Sequence, residues 1–279
     1  MLSDVFYLSL GSLELQAERT IDSSLNTRPI AIISSTGATG TIVILSNEAE
    51  KEGLCEGMKV SLAKRKTNRV QFLPYNHSLY QRVNNYVYQT ISRFTPVIEP
   101  SGMSGFYMDM KGLITPKRNI KDIGFSVLEQ IDSRVSLFST VGISINKLIS
   151  RIITDVVPEN IHEVLPGTEH HFLAPLDYSV LPTARKKSVY RILHFLLIDK
   201  VLHIQSLSKR VEEFEVLFGL YARSLIDESQ GRDTSLVKPL KLREHLLEQR
   251  ILAEDTNDYD VLVATVQDLA EKIAFQLRE

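Results

Sequence analysis

The first 165 residues alternate between short apolar segments and longer amphipathic ones, and this order restricts the possible folds most. Six short segments are apolar or alternate apolar with polar residues, as β-strands do; they cover 5–10, 30–34, 40–45, 70–73, 105–110 and 139–145. Helical patterns lie between them at 47–52, 77–93, 120–133 and 146–156. Strands interleaved with helices predict an α+β fold in which helices cover a mixed sheet.

The pattern changes after residue 175, where it becomes helical and more broken. Helices are predicted at 186–197, 204–209 and 211–224, which indicates a separate small helical domain. A polar, glycine-containing stretch at 227–237 is typical of a linker. Beyond it we expect a strand at 237–242 and an amphipathic helix at 260–277.

Composition narrows the class of protein. The single cysteine, Cys55, excludes an internal disulfide and a zinc site built from several thiolates. The N-terminus lacks the positive region of a signal peptide, and no span approaches the roughly 18–20 uncharged apolar residues that a bilayer crossing needs. These features predict a soluble, cytoplasmic protein without membrane contact.

Charge is nearly balanced overall, at a formal net charge of −2, but it is sorted along the chain. Residues 59–69 carry five cations and no acid, and residues 181–210 carry seven cations and one acid, Asp199. Acids predominate after residue 212. Basic segments of this kind either contact phosphate or are solvated faces, and both interpretations stay open at this point.

Several segments resemble one family in order and spacing. They are RPIAI, SNEAEKEGLCEGMKVSLAKR, LYQRVNNYVYQTISRFTPVIEPSGMSGFYMDMKG, TVGISINKLISRIITDV, FLAPLDYSVLPTARKKSVYRIL and RSLID with KPLKLREHL. Together they resemble the Y-family (translesion, UmuC/DinB-like) DNA polymerases over nearly the whole chain. The chain is most similar to the catalytically inactive, polymerase-like subunit of mutagenic translesion cassettes.

The resemblance implies a domain layout. Residues 1–15 and 75–165 would form the palm, residues 16–74 the fingers, and residues 166–230 a helical thumb with a degenerate helix-hairpin-helix motif. Residues 231–236 would be a linker, and residues 237–279 would begin a little finger domain.

The family's catalytic carboxylates are replaced. Ser9 stands at the first aspartate, and Ser104 and Gly105 stand at the adjacent Asp-Glu pair. A hydroxyl and a hydrogen atom supply no charge for two Mg²⁺ ions, so we expect no metal, no cofactor and no enzyme activity. Glu14, at the family's aromatic sugar-sensing position, is the one acid that suggests an unusual metal ligand.

The triphosphate-binding positions change in the same direction. Asn47 and Glu50 replace the family's tyrosine and arginine, and a carboxylate repels a triphosphate. Val157 stands at a phosphate-binding lysine, whereas Asn146 and Lys147 of the preceding helix match the family pattern. The resemblance therefore implies a nucleotide site that has lost its ligands.

The segment that would form the thumb contains a pattern that resembles a DNA-binding motif. Residues 181–187 resemble the hairpin of a helix-hairpin-helix motif, with Thr183 and Arg185 at its glycine positions. Arg185, Lys186, Lys187 and Arg191 are expected to bind DNA phosphates by charge, without sequence preference. The alternative is a solvated turn.

These features predict a catalytically inactive DNA-binding scaffold in DNA repair, translesion synthesis and SOS mutagenesis. The resemblance implies primer-template DNA, the sliding clamp and an error-prone polymerase as partners. Two other hypotheses stay open. One is a stand-alone, non-specific DNA-binding module, and the other is a residual nucleotidyltransferase that uses Glu14.

Overall fold

The computed structural model describes residues 4–37, 39–113, 119–239, 247–252 and 254–277. Contacts divide the chain into two compact units. The first unit comprises Met1–Gly11 and Val83–Leu240, and the second comprises Ser12–Arg82 and Lys241–Glu279. The domain layout inferred from the resemblance stays a prediction.

Strands and helices are numbered along the chain. The strands are β1 (Val5–Ser9), β2 (Ile30–Ile33), β3 (Ile42–Leu45), β4 (Gln71–Pro74), β5 (Ile98–Ser101), β6 (Gly105–Asp109), β7 (Thr140–Ser144) and β8 (Ile161–Glu163). The α-helices of the first half are α1 (Leu13–Ile21), α2 (Asn47–Lys51), α3 (Val60–Lys66), α4 (His77–Ile91), α5 (Ile120–Val135) and α6 (Lys147–Val156). Those of the second half are α7 (Glu169–Leu173), α8 (Lys187–Phe195), α9 (Val201–Leu207), α10 (Val211–Phe218), α11 (Ala222–Ser229) and α12 (Tyr259–Gln276).

A five-stranded mixed sheet organises the first unit, in the order β5-β6-β1-β7-β8. Strand β1 lies in the centre, antiparallel to both β6 and β7. Phe6 and Leu8 of β1 and Phe106 and Met108 of β6 are fully buried on one face of the sheet. Alternating side chains of the same strands, among them Tyr7 and Tyr107, point to the opposite face.

The same unit contains a helical subdomain between α6 and α11. Its core is a single cluster of aliphatic and aromatic side chains, including Leu181, Val189, Leu193, Phe214 and Leu225. The predicted helix 211–224 is wrong as one element, because it breaks at Gly219, whose φ of 53° ends α10. Residues 237–239 form no strand, which corrects the predicted strand at 237–242; residues 240–242 lie outside the described residues.

The second unit has a three-stranded sheet in the order β3-β2-β4. Strands β2 and β3 are antiparallel, and β2 runs parallel to β4. Its core joins β2 and β3 with α2 and α3 through Ala31, Ile33, Ile42, Ala49 and Val60. The predicted helix 260–277 is confirmed as α12.

The six strands and four helices predicted in the first 165 residues are confirmed, and the α+β fold class is correct. The two strands that sequence reasoning missed, β5 and β8, form the edges of the five-stranded sheet. Edge strands are short and partly exposed, and β5 contains Pro100, which only an edge tolerates. Among the described residues, no helix is long and apolar enough to cross a membrane.

Candidate functional site

The sheet brings together the three positions that correspond to the family's carboxylates. Ser9 ends β1, and its Cα pairs with Gly105 on β6. The Leu10 N–H donates a 2.8 Å hydrogen bond to the Ser104 carbonyl oxygen. These residues offer two hydroxyls and no carboxylate, so they do not fit a two-magnesium centre. Within the described ranges, no group of three or more His, Cys, Asp or Glu residues is placed to hold a metal ion.

Tyr7 fills the space beside Gly105, a feature that sequence reasoning missed. A Cβ atom on Gly105 would lie 2.1 Å from the Tyr7 Oη and 2.7 Å from its Cζ. The Tyr7 ring packs against Tyr107 with centroids 4.6 Å apart, and its hydroxyl hydrogen-bonds Ser101. Burial raises the pKa of Tyr7, so the hydroxyl is neutral at physiological pH. No side chain fits at position 105 while Tyr7 keeps this position.

Asn146 and Lys147, the two residues that match the family pattern, tie the start of α6 to neighbouring segments. The Asn146 side chain caps α6 by accepting from the Ile149 N–H at 3.0 Å, and its amide donates to the Gly231 carbonyl at 2.8 Å. The Lys147 ammonium pairs with Glu99 at 2.6 Å and lies 4.7 Å from the centre of the Tyr107 ring. Both residues therefore have structural partners within the unit. Val157 follows α6 as its C-cap.

The predicted linker contacts the start of α6 where it follows α11. Besides the bond from Asn146 to Gly231, the Asp233 carboxylate accepts from the Leu148 N–H at 3.1 Å, near the N-terminus of α6. Val237 is buried against Tyr7 and Tyr107. Val237 therefore lies on the sheet face that also carries Ser9 and Gly105, whereas Gly231 and Asp233 contact the start of α6.

In the second unit, the two residues that replace the family's triphosphate ligands, Asn47 and Glu50, are exposed on α2. Their neighbour Glu48 pairs with Arg19 at 3.1 Å. Helix α2 begins there because the Ser46 hydroxyl accepts from the Ala49 N–H, which is a standard N-cap.

Helix α1 of the same unit carries two acids one turn apart, Glu14 and Glu18. The Tyr80 hydroxyl donates a 2.7 Å hydrogen bond to Glu18. Burial and this carboxylate raise the pKa of Tyr80. Glu14 is partly buried and raises the pKa of Tyr75 by charge, in addition to the larger effect of burial.

The predicted DNA-binding residues lie in residues 181–187, the predicted thumb hairpin, and on α8. Arg185 donates through Nε to the Ser179 carbonyl, and the Lys186 ammonium lies 4.4 Å from the centre of the Tyr221 ring. Lys187 and Arg191 occupy successive turns of α8, are exposed, and form no ion pair with any residue that the structure describes. His194 continues this row one turn further and stacks on Tyr190. Two of the four cations, Arg185 and Lys186, are therefore held by contacts within the protein, whereas Lys187 and Arg191 are open, meaning exposed and without an ion pair among the described residues.

A profile of the impB/mucB/samB family matches residues 6–155. The DNA polymerase IV of Dehalococcoides mccartyi is 27% identical over 99% of this chain and 70% of that protein. The DNA polymerase IV of Staphylococcus aureus is 23% identical, over 99% of this chain and 77% of its own length. Among solved structures, DinB from Sulfolobus solfataricus superposes with a TM-score of 0.74 at 22% identity, covering 84% of this chain and 69% of that one. The insertion ternary complex of Dbh DNA polymerase gives a TM-score of 0.72 over the same shares.

These comparisons overturn one prediction. The expectation that the chain is not an enzyme is wrong, because relatives that match almost all of it are named as DNA polymerases. The physical weakness of that expectation is that Ser9, Ser104 and Gly105 describe one arrangement of metal ligands. Their replacement says nothing about ligands that come from other residues.

Proposed function

The chain belongs to the impB/mucB/samB family and has a Y-family polymerase fold, and from this premise we propose that it binds primer-template DNA in translesion synthesis. The observation that carries the proposal is the exposed row of Lys187, Arg191 and His194 on α8. These side chains stand at positions 187, 191 and 194, so they share one helix face. Cations without acidic partners attract a polyanion most strongly, because no internal carboxylate has to be displaced.

Binding is tested by fluorescence anisotropy with a labelled primer-template at two salt concentrations. The wild type is expected to bind tightly at low salt and to lose affinity as salt rises, as counterion release requires. Lys187→Glu and Arg191→Glu are expected to weaken binding and to lower the slope of log K against log salt by about one each. Lys121→Glu, an exposed charge reversal on α5, is the matched control. No binding by the wild type at low salt would refute the proposal.

A second candidate function is nucleotidyl transfer, favoured by the partly buried Glu14 on α1 and by the name of the relatives. Primer extension is measured with Mg²⁺ and with Mn²⁺ on the same DNA. Extension that Glu14→Gln abolishes, while DNA binding persists, would support a metal ligand at this residue. Extension that is unaffected by Glu14→Gln would place the ligands elsewhere.

The proposal also includes a scaffold role, in which the DNA-bound chain contacts the sliding clamp and an error-prone polymerase. This part rests on the sequence resemblance alone, as does a cytoplasmic location. Size-exclusion chromatography of the chain mixed with purified clamp, and separately with purified polymerase, tests it. Co-elution with neither protein, with and without DNA, would favour a stand-alone DNA-binding module.

A further inference from the structure

The thumb hairpin is tied to α11 by one carboxylate. The Thr183 N–H donates to the Glu228 Oε2 at 2.9 Å, and the Thr183 hydroxyl donates to the Glu228 Oε1 at 2.6 Å. Thr183 is only 4% exposed. Burial raises the pKa of the partly buried Glu228, and the two bonds from Thr183 oppose this effect. The hydroxyl that forms the shorter bond is a group that glycine, the family's residue here, does not have.

This contact decides what the hairpin offers to DNA. Because the Thr183 amide is bonded to Glu228 and the residue is buried, the amide is not available to a phosphate while this contact holds. Arg185 and Lys186 are also held, by the Ser179 carbonyl and the Tyr221 ring. Helix α8 begins at Lys187, directly after the hairpin. The direction in which α8 presents its open cations therefore depends on how the hairpin is fixed.

We propose that Glu228 is the positioning residue of the thumb's DNA-binding surface. By holding Thr183 through two hydrogen bonds, it fixes the hairpin, and the hairpin fixes the direction of Lys187 and Arg191. This inference rests on the proposed DNA binding. The competing role is a phosphate mimic that occupies the hairpin amide and blocks DNA. The two roles predict opposite changes in affinity when the carboxylate is removed.

The test measures the affinity of the full chain for primer-template DNA, at a temperature where circular dichroism shows that every variant is folded. Glu228→Ala is expected to weaken binding about tenfold, comparable to the loss of a phosphate contact. Glu228→Gln is expected to restore most of it, because the amide oxygen still accepts from the Thr183 N–H while its NH₂ donates to the hydroxyl. Glu215→Ala, which removes an exposed acid from α10, is the matched control and is expected to leave binding unchanged or slightly tighter.

A purely structural role would lower the unfolding temperature of Glu228→Ala without changing the affinity of the folded protein, and that result would overturn the inference. Tighter binding by Glu228→Ala would also overturn it, in favour of the phosphate mimic. If Glu228→Ala does not fold, Thr183→Val serves instead, since it replaces only the hydroxyl by a methyl group, and it is expected to weaken binding about threefold. Failure of the wild type to bind would refute the proposed function rather than the role of Glu228.

Discussion

Replacing Gly105 by alanine tests whether Tyr7 fixes the chemistry at this position. The new Cβ would lie 2.1 Å from the Tyr7 Oη, far inside van der Waals contact, and both residues are buried. Alanine in place of glycine within a strand is by itself favourable by about 0.5–1 kcal/mol. Forced overpacking of a core costs about 1–3 kcal/mol. We therefore expect Gly105→Ala to lower the free energy of unfolding by up to about 2.5 kcal/mol, the largest difference between these two effects.

Urea unfolding followed by circular dichroism measures the change, and two further variants make it specific. Gly124→Ala in α5 is the matched control, because its Cβ would meet only aliphatic side chains at 3.4–3.6 Å. In a helix interior this change is expected to stabilise by up to about 1 kcal/mol. Tyr7→Leu is expected to make Gly105→Ala nearly harmless, with a coupling of about 1–2 kcal/mol in a double-mutant cycle. An equal cost of Gly105→Ala with and without Tyr7 would refute the reasoning.

Three further predictions concern buried residues of the two units. Gly142→Ala on β7 is expected to lower the free energy of unfolding by more than about 3 kcal/mol or to prevent folding, because its Cβ would lie 2.0 Å from a backbone carbonyl of α6, which cannot rotate away. The expression level and the urea midpoint of the variant measure this effect. The raised pKa of Tyr7 predicts that stability is retained below the unfolded-state pKa near 10 and falls as pH rises above it, since the unfolded tyrosine ionises first. Melting temperatures at pH 9 and pH 11 measure this loss of stability, and Tyr7→Phe is expected to reduce it. Tyr80→Phe removes the 2.7 Å bond to Glu18 and is expected to lower the free energy of unfolding by about 1 kcal/mol, as urea denaturation would detect.

Sequence alone identified six of the eight strands that the structure describes, four of the six helices named in the first half of the chain, and the family. Strand and helix periodicity is a local property, so segments such as β1, β6 and α6 were identifiable before any contact was known. The edge strands β5 and β8 gave no such signal, because they are short and partly exposed. The family resemblance also predicted that Ser9, Ser104 and Gly105 share one site, and the pairing of β1 with β6 brings them together.

Only the tertiary structure decided what these residues contact. Gly105 is required because the ring of Tyr7, on another strand, occupies the space of a side chain. Thr183 is buried where Glu228 of α11 accepts both of its hydrogen bonds. Of the four basic residues predicted for DNA binding, the structure leaves Lys187 and Arg191 open and engages the other two. Contacts of this kind join residues far apart in the chain, so they depend on how the elements pack, and a linear pattern of residue types does not contain that information.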